Sequence, residues 1–235
     1  MNISGKKIVV FGGTSGIGLA TIKLLLKHNP SKIYALSRNP KRLKLKNKKI
    51  ITEQIDVLDE IKVKSFFSKL GKYDVLISTA TGGNRAMGPF LTMSMQGFKN
   101  SFDKLWGYSN VVRYGAKKLN KNGNIVLVSG SPARKSKPGF SAISATGGAV
   151  EAFVRSITEE LSPIRINLVS PGIIDTPMSP LKGKQRKDFY KSATKNNIIK
   201  RAGTPEEVAK ALLFAVENEF ITGTTIDVDG GWILA

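Results

Sequence analysis

The stretch Phe11-Gly12-Gly13-Thr14-Ser15-Gly16-Ile17-Gly18 follows a short apolar run, KIVVF at Lys7–Phe11, and precedes a helical pattern. Its glycines Gly12, Gly16 and Gly18 have the spacing G-x-x-x-G-x-G. Glycine allows a sharp turn, and it lets a pyrophosphate approach the N–H groups at the start of a helix. In a strand–turn–helix context this spacing indicates a dinucleotide-binding loop. A tight glycine-rich turn without a ligand is the alternative.

Outward from this loop, short apolar runs alternate with helical patterns along the chain. The predicted strands are Lys7–Phe11, Lys32–Leu36, Lys49–Gln54, Asp74–Ser78, Asn124–Ser129, Arg165–Val169 and Thr224–Val228. The predicted helices are Ile17–Lys27, Ile61–Leu70, Gln96–Leu119, Ser141–Leu161 and Pro205–Asn218. Strands separated by such helices predict an α/β fold of Rossmann type, a doubly wound parallel β-sheet of about seven strands with helices on both faces. We find no linker or repeat and expect one dinucleotide-binding domain, residues 1–235.

The segment from Ile173 to Arg201 departs from this alternation. It is rich in lysine, contains several helix breakers and follows the end of a predicted strand. Loops at strand ends lie over ligand sites in such folds, so we predict a mobile substrate lid at about 173–201. A disordered surface insertion is the alternative.

Composition limits the classes of function. The chain has 37 lysines and arginines against 17 acidic residues, a net charge of +20, which would attract anionic ligands. A merely solvated lysine-rich surface is the alternative. The chain has no cysteine and a single histidine, His28, so we expect neither thiolate chemistry nor a metal site. Neither a recognition helix nor stacking aromatics accompany the charge, so specific nucleic-acid binding is not expected.

The same sequence bears on location. No signal-peptide pattern stands at the N-terminus, and no apolar run approaches the length that spans a membrane. The lack of cysteine fits a reducing compartment. We therefore expect a cytoplasmic protein without membrane contact.

The end of the second strand, Ser37-Arg38, bears on the choice of cofactor. NAD-selective dinucleotide folds favour an acidic residue here for the ribose hydroxyls. A carboxylate would repel a 2′-phosphate, whereas Arg38 could hold one through charge-assisted hydrogen bonds, with Lys41 and Arg42 nearby. The sequence thus predicts NADP(H) rather than NAD(H). Alternatively, Arg38 only begins the basic run through Lys49.

Four further motifs follow in order: Asp56-Val57, Pro171-Gly172-Ile173-Ile174-Asp175-Thr176, Arg201 through Ala209, and Thr222-Gly223 through Trp232. Together with the glycine motif, they make the chain resemble the short-chain dehydrogenase/reductase family over nearly its whole length. The resemblance implies that Asp56-Val57 contacts adenine and that the Pro-Gly loop lies near the nicotinamide. The predicted cofactor residues are Gly12, Thr14, Ser15, Gly16, Ile17, Gly18, Ser37, Arg38, Asp56, Val57, Ala80, Pro171, Gly172, Ile174 and Thr176.

The catalytic positions of that family are changed here. In the family a Ser polarises the substrate carbonyl, a Tyr transfers the proton, a Lys lowers the pKa of that Tyr, and an Asn supports a proton relay. Within Gly139–Val150 the resemblance places Ile143 at the Tyr position and Gly147 at the Lys position. The Ser position falls on Gly130. The chain is thus similar to an atypical subgroup of the family that lacks these residues.

Three residues remain as candidates for chemistry. Lys104, in Lys104-Leu105-Trp106-Gly107, takes the place of the relay Asn, and Ser129 and Ser131 flank the vacant Ser position. A buried lysine can lose several pKa units and then act as a general acid. Alternatively, Lys104 fills a polar pocket or pairs with an acid, and the two serines only satisfy local backbone.

Three functions compete on this basis. The favoured one is an NADP(H)-dependent oxidoreductase acting on a carbonyl or alcohol with a non-standard proton donor. The others are a catalytically silent NADP(H)-binding sensor or partner protein, and a basic nucleic-acid-associated protein. The substrate is unknown; Arg85, Arg134, Lys135 and Lys137 near the pocket mouth would suit an anionic one, unless they are solvated loop charges. The resemblance implies a homodimer or homotetramer that pairs through Gln96–Leu119 and Ser141–Leu161.

Overall fold

Seven strands form the sheet in the computed structural model, which describes residues 1–81 and 84–235. They are β1 (Lys7–Phe11), β2 (Lys32–Ser37), β3 (Ile50–Gln54), β4 (Tyr73–Ser78), β5 (Leu119–Val128), β6 (Arg165–Pro171) and β7 (Thr225–Val228). All neighbours are parallel, in the order β3-β2-β1-β4-β5-β6-β7. Because the order reverses between β1 and β4, a crevice opens at their carboxyl ends, where ligands bind in folds of this kind.

Helices cover both faces of the sheet. They are α1 (Gly16–Leu26), α2 (Glu60–Leu70), α3 (Met95–Ser101), α4 (Asp103–Gly115), α5 (Ser141–Ile157), α6 (Gly183–Ala193) and α7 (Pro205–Glu217). Alternate side chains of β1 point to opposite faces of the sheet. Val9 and Phe11 belong to the core under α2, α4 and α5, whereas Ile8 and Val10 belong to the core under α1 and α7. The predicted doubly wound parallel sheet is therefore confirmed.

The predicted helix over Gln96–Leu119 is wrong in its length. The chain forms α3 and α4 instead, separated at Phe102, whose N–H bonds Lys99 O three residues back at 3.0 Å. The Ser101 hydroxyl donates to Gly97 O at 3.0 Å and accepts from Ala86 N–H, so a side chain competes for backbone groups at the break.

Two other elements differ from the sequence prediction. Leu119 begins β5 instead of ending a helix. The segment 173–201, which we predicted as a lid, contains α6, an eleven-residue helix that the sequence analysis did not identify. Within the described ranges, no helix combines the length and apolar character needed to cross a bilayer.

Candidate active site

The glycine-rich loop between β1 and α1 packs tightly against the end of β4. A Cβ placed on Gly12, whose φ is +77°, would lie 2.5 Å from Thr79 Oγ1, and one placed on Gly18 would lie 2.2 Å from Gly12 O. Ser15 precedes α1 in an extended conformation, and its side chain makes no capping hydrogen bond. The first N–H groups of α1 are therefore not capped by this side chain, and a phosphate could accept from them. This loop fits a dinucleotide.

The loop after β6 lies beside the glycine loop. A Cβ on Gly16 would be 3.6 Å from Thr176 Cβ. The Gly172 N–H donates to Val228 O at 3.1 Å, and Ile174 forms an isolated bridge with Gly203. The structure thus brings the two predicted cofactor loops together at the carboxyl edge of the sheet.

The end of β2 forms the third part of the cofactor crevice. The buried Thr14 hydroxyl donates to Ser37 Oγ at 2.9 Å, which ties the glycine loop to this strand. Arg38 follows as an exposed residue, and it forms no ion pair with an acid in the described part of the chain. Its guanidinium is therefore available to an anion.

The predicted adenine contacts lie after β3. The half-buried Asp56 carboxylate accepts from Leu58 N–H at 3.1 Å, and Val57 O accepts from Asn110 Nδ2 at 3.0 Å. Ala80, half-buried just after β4, lies on the same edge of the sheet. Cofactor contact by these residues stays a prediction.

Lys104 reaches from α4 to the end of β5. Its side chain is buried, and Nζ donates to Ser129 O at 3.0 Å. Burial lowers the pKa of this amine to about 7, because the charged form loses its water. The positive charge of Arg85 also lowers this pKa, and the negative charge of Glu151 opposes both effects. Such an amine can exist in both protonation states near neutral pH.

The two candidate serines have different surroundings. The Ser129 hydroxyl donates to Gly147 O, although the distance of 3.4 Å is long for such a bond. The Ser131 hydroxyl is fully buried and has no hydrogen-bond partner within the described residues. A buried polar group without a partner costs about 1–3 kcal/mol and needs an explanation, such as an absent ligand or water. Ser131 therefore keeps its full hydrogen-bonding capacity.

The first turns of α5 carry Ile143 and Gly147, the two positions that the resemblance aligned with the family's Tyr and Lys. Ile143 is half-buried, and a Cβ on Gly147 would lie 2.8 Å from Ala133 Cβ. The phenol of Tyr108, whose ring centre lies 5.9 Å from Lys104 Nζ, is engaged elsewhere. Its hydroxyl donates to Val128 O at 2.8 Å, and burial raises its pKa well above the usual range.

The cations expected at the pocket mouth are mostly engaged. Arg134 pairs with Glu151, Nε to Oε1 at 3.5 Å, and with Asp227. The other two contact the C-terminal segment: Lys135 donates to the last carbonyl of the chain, and Lys137 Nζ lies 3.7 Å from the ring centre of Trp232. The positive charge of Arg85 lowers the pKa of Lys104, and its guanidinium contacts the Met178 sulfur on the loop before α6.

The sequence interpretation missed two of these contributions. Glu151 is a buried acid on α5, four residues after Gly147. Its position on the apolar face of a predicted helix is the sequence feature that could have identified it. Arg186 on α6 is the other. Its guanidinium binds the Asp175 carboxylate and three backbone carbonyls, those of Thr176 at 2.7 Å, Ser179 at 3.0 Å and Leu181 at 3.1 Å. It ties α6 to the loop that follows β6.

Comparison with known proteins agrees with this geometry. The family model described as Enoyl-(Acyl carrier protein) reductase matches residues 12–233. The chain is 31% identical to the 3-oxoacyl-[acyl-carrier-protein] reductase of Mus musculus, covering 96% of this chain and 97% of that protein. It is 30% identical to the 3-oxoacyl-[acyl-carrier-protein] reductase FabG of Thermotoga maritima, covering all of both chains.

Solved structures show the same likeness. A small-chain dehydrogenase in complex with NADPH superposes with a TM-score of 0.83 at 30% identity, covering 99% of this chain and 100% of that one. MalC reductase/Diels-Alderase from Malbranchea aurantiaca gives a TM-score of 0.87 at 25% identity, covering 99% and 97%. The family model and the curated relatives match nearly the whole chain, and the strand order and the glycine-rich loop fit a nucleotide-binding fold. The chain therefore belongs to the short-chain dehydrogenase/reductase family of oxidoreductases, which use nicotinamide cofactors.

Proposed function

We propose that this chain is an NADP(H)-dependent oxidoreductase that interconverts a carbonyl and an alcohol, with Lys104 as its proton donor and acceptor. The observation that carries the proposal is the buried amino group of Lys104, held 3.0 Å from Ser129 O at the carboxyl edge of the sheet. It lies where the family's Ser, Tyr and Lys are replaced, so the chain would belong to an atypical subgroup.

The chemistry of Lys104 follows from its environment. A bound nicotinamide would supply or accept the hydride, and the protein would manage the proton and the position of the substrate. In carbonyl reduction the Lys104 ammonium gives a proton to the substrate oxygen, and in alcohol oxidation the neutral amine takes it back. A pKa of about 7 suits both directions near neutral pH. The unpartnered Ser131 hydroxyl would donate a hydrogen bond to the same substrate oxygen.

The preference for NADP(H) rests on Arg38. It stands exposed just after β2, where a carboxylate would select against a 2′-phosphate, and no acid of the described residues pairs with it. The relative whose structure contains NADPH supports the same cofactor.

Titration with NADPH and NADH at a fixed moderate salt concentration, followed by cofactor fluorescence, tests the cofactor part. We expect NADPH to bind with a Kd on the order of 1 μM and NADH much more weakly. The Arg38→Ala variant should lose this preference, whereas Arg113→Ala, which removes an exposed arginine on α4, should keep it. Equal binding of both cofactors by the unmodified protein would contradict the role of Arg38.

Turnover of a panel of ketones and aldehydes with NADPH tests the catalytic part. Lys104→Met should reduce kcat by about 10²- to 10⁴-fold, the usual contribution of a positioned general acid, without changing the Kd for NADPH. Lys104→Arg keeps the charge but cannot release a proton, so it should be equally inactive. The rate of carbonyl reduction should fall as the pH rises through about 7, because the ammonium is lost.

Two outcomes would overturn the catalytic assignment. Unchanged turnover by Lys104→Met would remove Lys104 from the chemistry. Tight NADPH binding without hydride transfer to any member of the panel would favour the alternative function, a catalytically silent NADP(H)-binding sensor or partner protein.

A further inference from the structure

The first part of this chain carries a large positive charge. Residues 1–52 hold 12 of the 37 lysines and arginines and no acidic residue; the first acid is Glu53. These residues therefore contribute +12 of the net charge of +20, and they would attract anionic ligands to their surface.

Most of these cations lie on the connection from β2 to β3. This connection contains one 3-10 turn, Pro40–Arg42, and no α-helix. Apart from Arg38, its exposed cations, which we call the crossover cations, are Lys41, Arg42, Lys44, Lys46 and Lys48. None of them forms an ion pair with an acid in residues 1–81 or 84–235. Because β3 is the edge strand, this surface borders a largely exposed sheet edge.

A concavity of about 410 Å³ lies between the crossover cations and β3. Its apolar lining comes from Leu43, Leu45 and Ile50, which are half-buried and pack against the core under α1 and α7. Lys41 and Lys46 also line it and bring positive charge to it. The concavity therefore places a small apolar surface beside positive charge.

An apolar lining with cations beside it suits some polyanionic ligands better than others. A lipid surface calls for apolar side chains that protrude and insert, whereas these leucines are held in the core. A duplex offers phosphates at its surface but keeps its bases stacked inside, so it would leave the apolar lining uncovered. A single strand offers both groups, since phosphates follow a basic groove while unpaired bases contact apolar or aromatic side chains.

We propose that the crossover cations and the concavity beside them form a binding site for single-stranded nucleic acid, next to the dinucleotide crevice. Phosphates contact the crossover cations, and one base rests on Leu43, Leu45 and Ile50. No feature of the site reads base edges, so binding is independent of sequence.

The strength of such binding depends on salt. Each neutralised phosphate releases condensed counterions and contributes about −0.7 to the slope of log K against log salt for a single strand. Five contacts give a slope of about −3.5, which is a loss of about 100-fold in affinity from 50 to 200 mM salt.

Fluorescence anisotropy with a labelled mixed-sequence single strand of about 20 nucleotides tests the proposal. The double variant Lys44→Gln/Lys46→Gln should weaken binding by about 5- to 10-fold and reduce the salt slope by about 1.4. The matched control, Lys117→Gln/Lys121→Gln, removes two exposed lysines just before and within the start of β5 and should bind like the unmodified protein. NADPH titration of both variants checks that the cofactor crevice is intact.

Further probes separate this site from a general attraction to anions. A strand of the same length without bases should bind about 10-fold more weakly, because base contacts are lost. Equal binding of that strand, equal weakening by the control variant, or tighter binding to a duplex or to vesicles of anionic phospholipid would each overturn the proposal.

Discussion

Gly147 on α5 lies close to the 3-10 turn Ser131–Ala133, so that a Cβ placed on the glycine would lie 2.8 Å from Ala133 Cβ. A buried cation comes to this point from α4, where Lys104 contacts Ser129 O. Glu151, one helical turn after Gly147, supplies the opposing charge. Ser129 joins these elements, because its carbonyl accepts from Lys104 and its hydroxyl donates to Gly147 O.

Two adjacent glycines on α5 provide a matched test of this packing. Gly148→Ala adds a Cβ in open space, so the better helix propensity of alanine should stabilise the protein by about 0.5–1 kcal/mol. Gly147→Ala meets Ala133 and should destabilise it by about 1–2 kcal/mol, since overpacking outweighs propensity. Urea unfolding measures both changes, and Ala133→Gly should relieve the second. Equal effects at the two positions would contradict the close contact.

The depressed pKa of Lys104 predicts a pH-dependent stability. Its folded pKa, about 7, lies below the ordinary value of 10.5, so between these values the unfolded chain binds more protons. The contribution of this residue to the free energy of unfolding therefore rises with pH through that window. Lys104→Met should stabilise the protein by about 2–4 kcal/mol at low pH, because a buried charge is removed, and the gain should vanish above about pH 10.

The measurement is urea unfolding of Lys104→Met and the unmodified protein across this pH range. Lys117→Met, which replaces an exposed lysine, serves as the control and should show no such trend. A stability difference that stays constant with pH would show that Lys104 titrates normally.

At the scale of elements, side chains rather than propensity decide where helices end. The break between α3 and α4 occurs where the Ser101 hydroxyl bonds Gly97 O and receives Ala86 N–H. A side chain also bonds backbone groups in the segment after β6, because the Arg186 guanidinium on α6 donates hydrogen bonds to carbonyls of the loop that precedes this helix. One arginine thus joins α6 to the loop that contacts Gly16.

Removing this arginine should loosen the lid. Arg186→Met eliminates the Asp175 ion pair and three hydrogen bonds to carbonyls, so amide exchange over 176–190 should accelerate by about 10-fold or more. NADPH affinity should fall as well, because Thr176 O loses its donor. Lys187→Met, an exposed neighbour on α6, is the control. Unchanged exchange in Arg186→Met would show that the lid is held by other contacts.

At the scale of the whole molecule, the doubly wound sheet leaves large apolar side chains outside the core. Trp106 on α4 is 60% exposed, although Lys104 and Tyr108 on the same helix are buried. An exposed tryptophan is typical of a protein–protein contact. The expected pairing through the helices around α4 and α5 would cover it.

This reasoning predicts a dimer or tetramer in solution. Light scattering after gel filtration should give two or four times the mass of one chain. Trp106→Glu should lower that mass, because burying a carboxylate in an apolar interface is costly. Ile61→Glu, which changes an 81% exposed residue on α2, should not. A monomeric unmodified protein would contradict the prediction.

The sequence by itself determined the features that depend on near neighbours. Apolar periodicity predicted seven strands separated by helices, glycine spacing predicted the turn into α1, and the end of β2 carried the basic Arg38. The resemblance that aligned Ile143 and Gly147 with the family's Tyr and Lys also rests on local sequence. Each of these depends on residues a few positions apart, so the order of the chain is enough.

Only the tertiary structure decided what those residues do to one another. Lys104 and its acceptor Ser129 are 25 residues apart, and the pKa of the amine depends on burial by elements that the folded sheet brings around it. Gly147 meets Ala133 across a helix and a turn, and Arg186 finds acceptors that the folded lid positions. Desolvation and hydrogen-bond geometry depend on three-dimensional distance, which residue order alone does not specify.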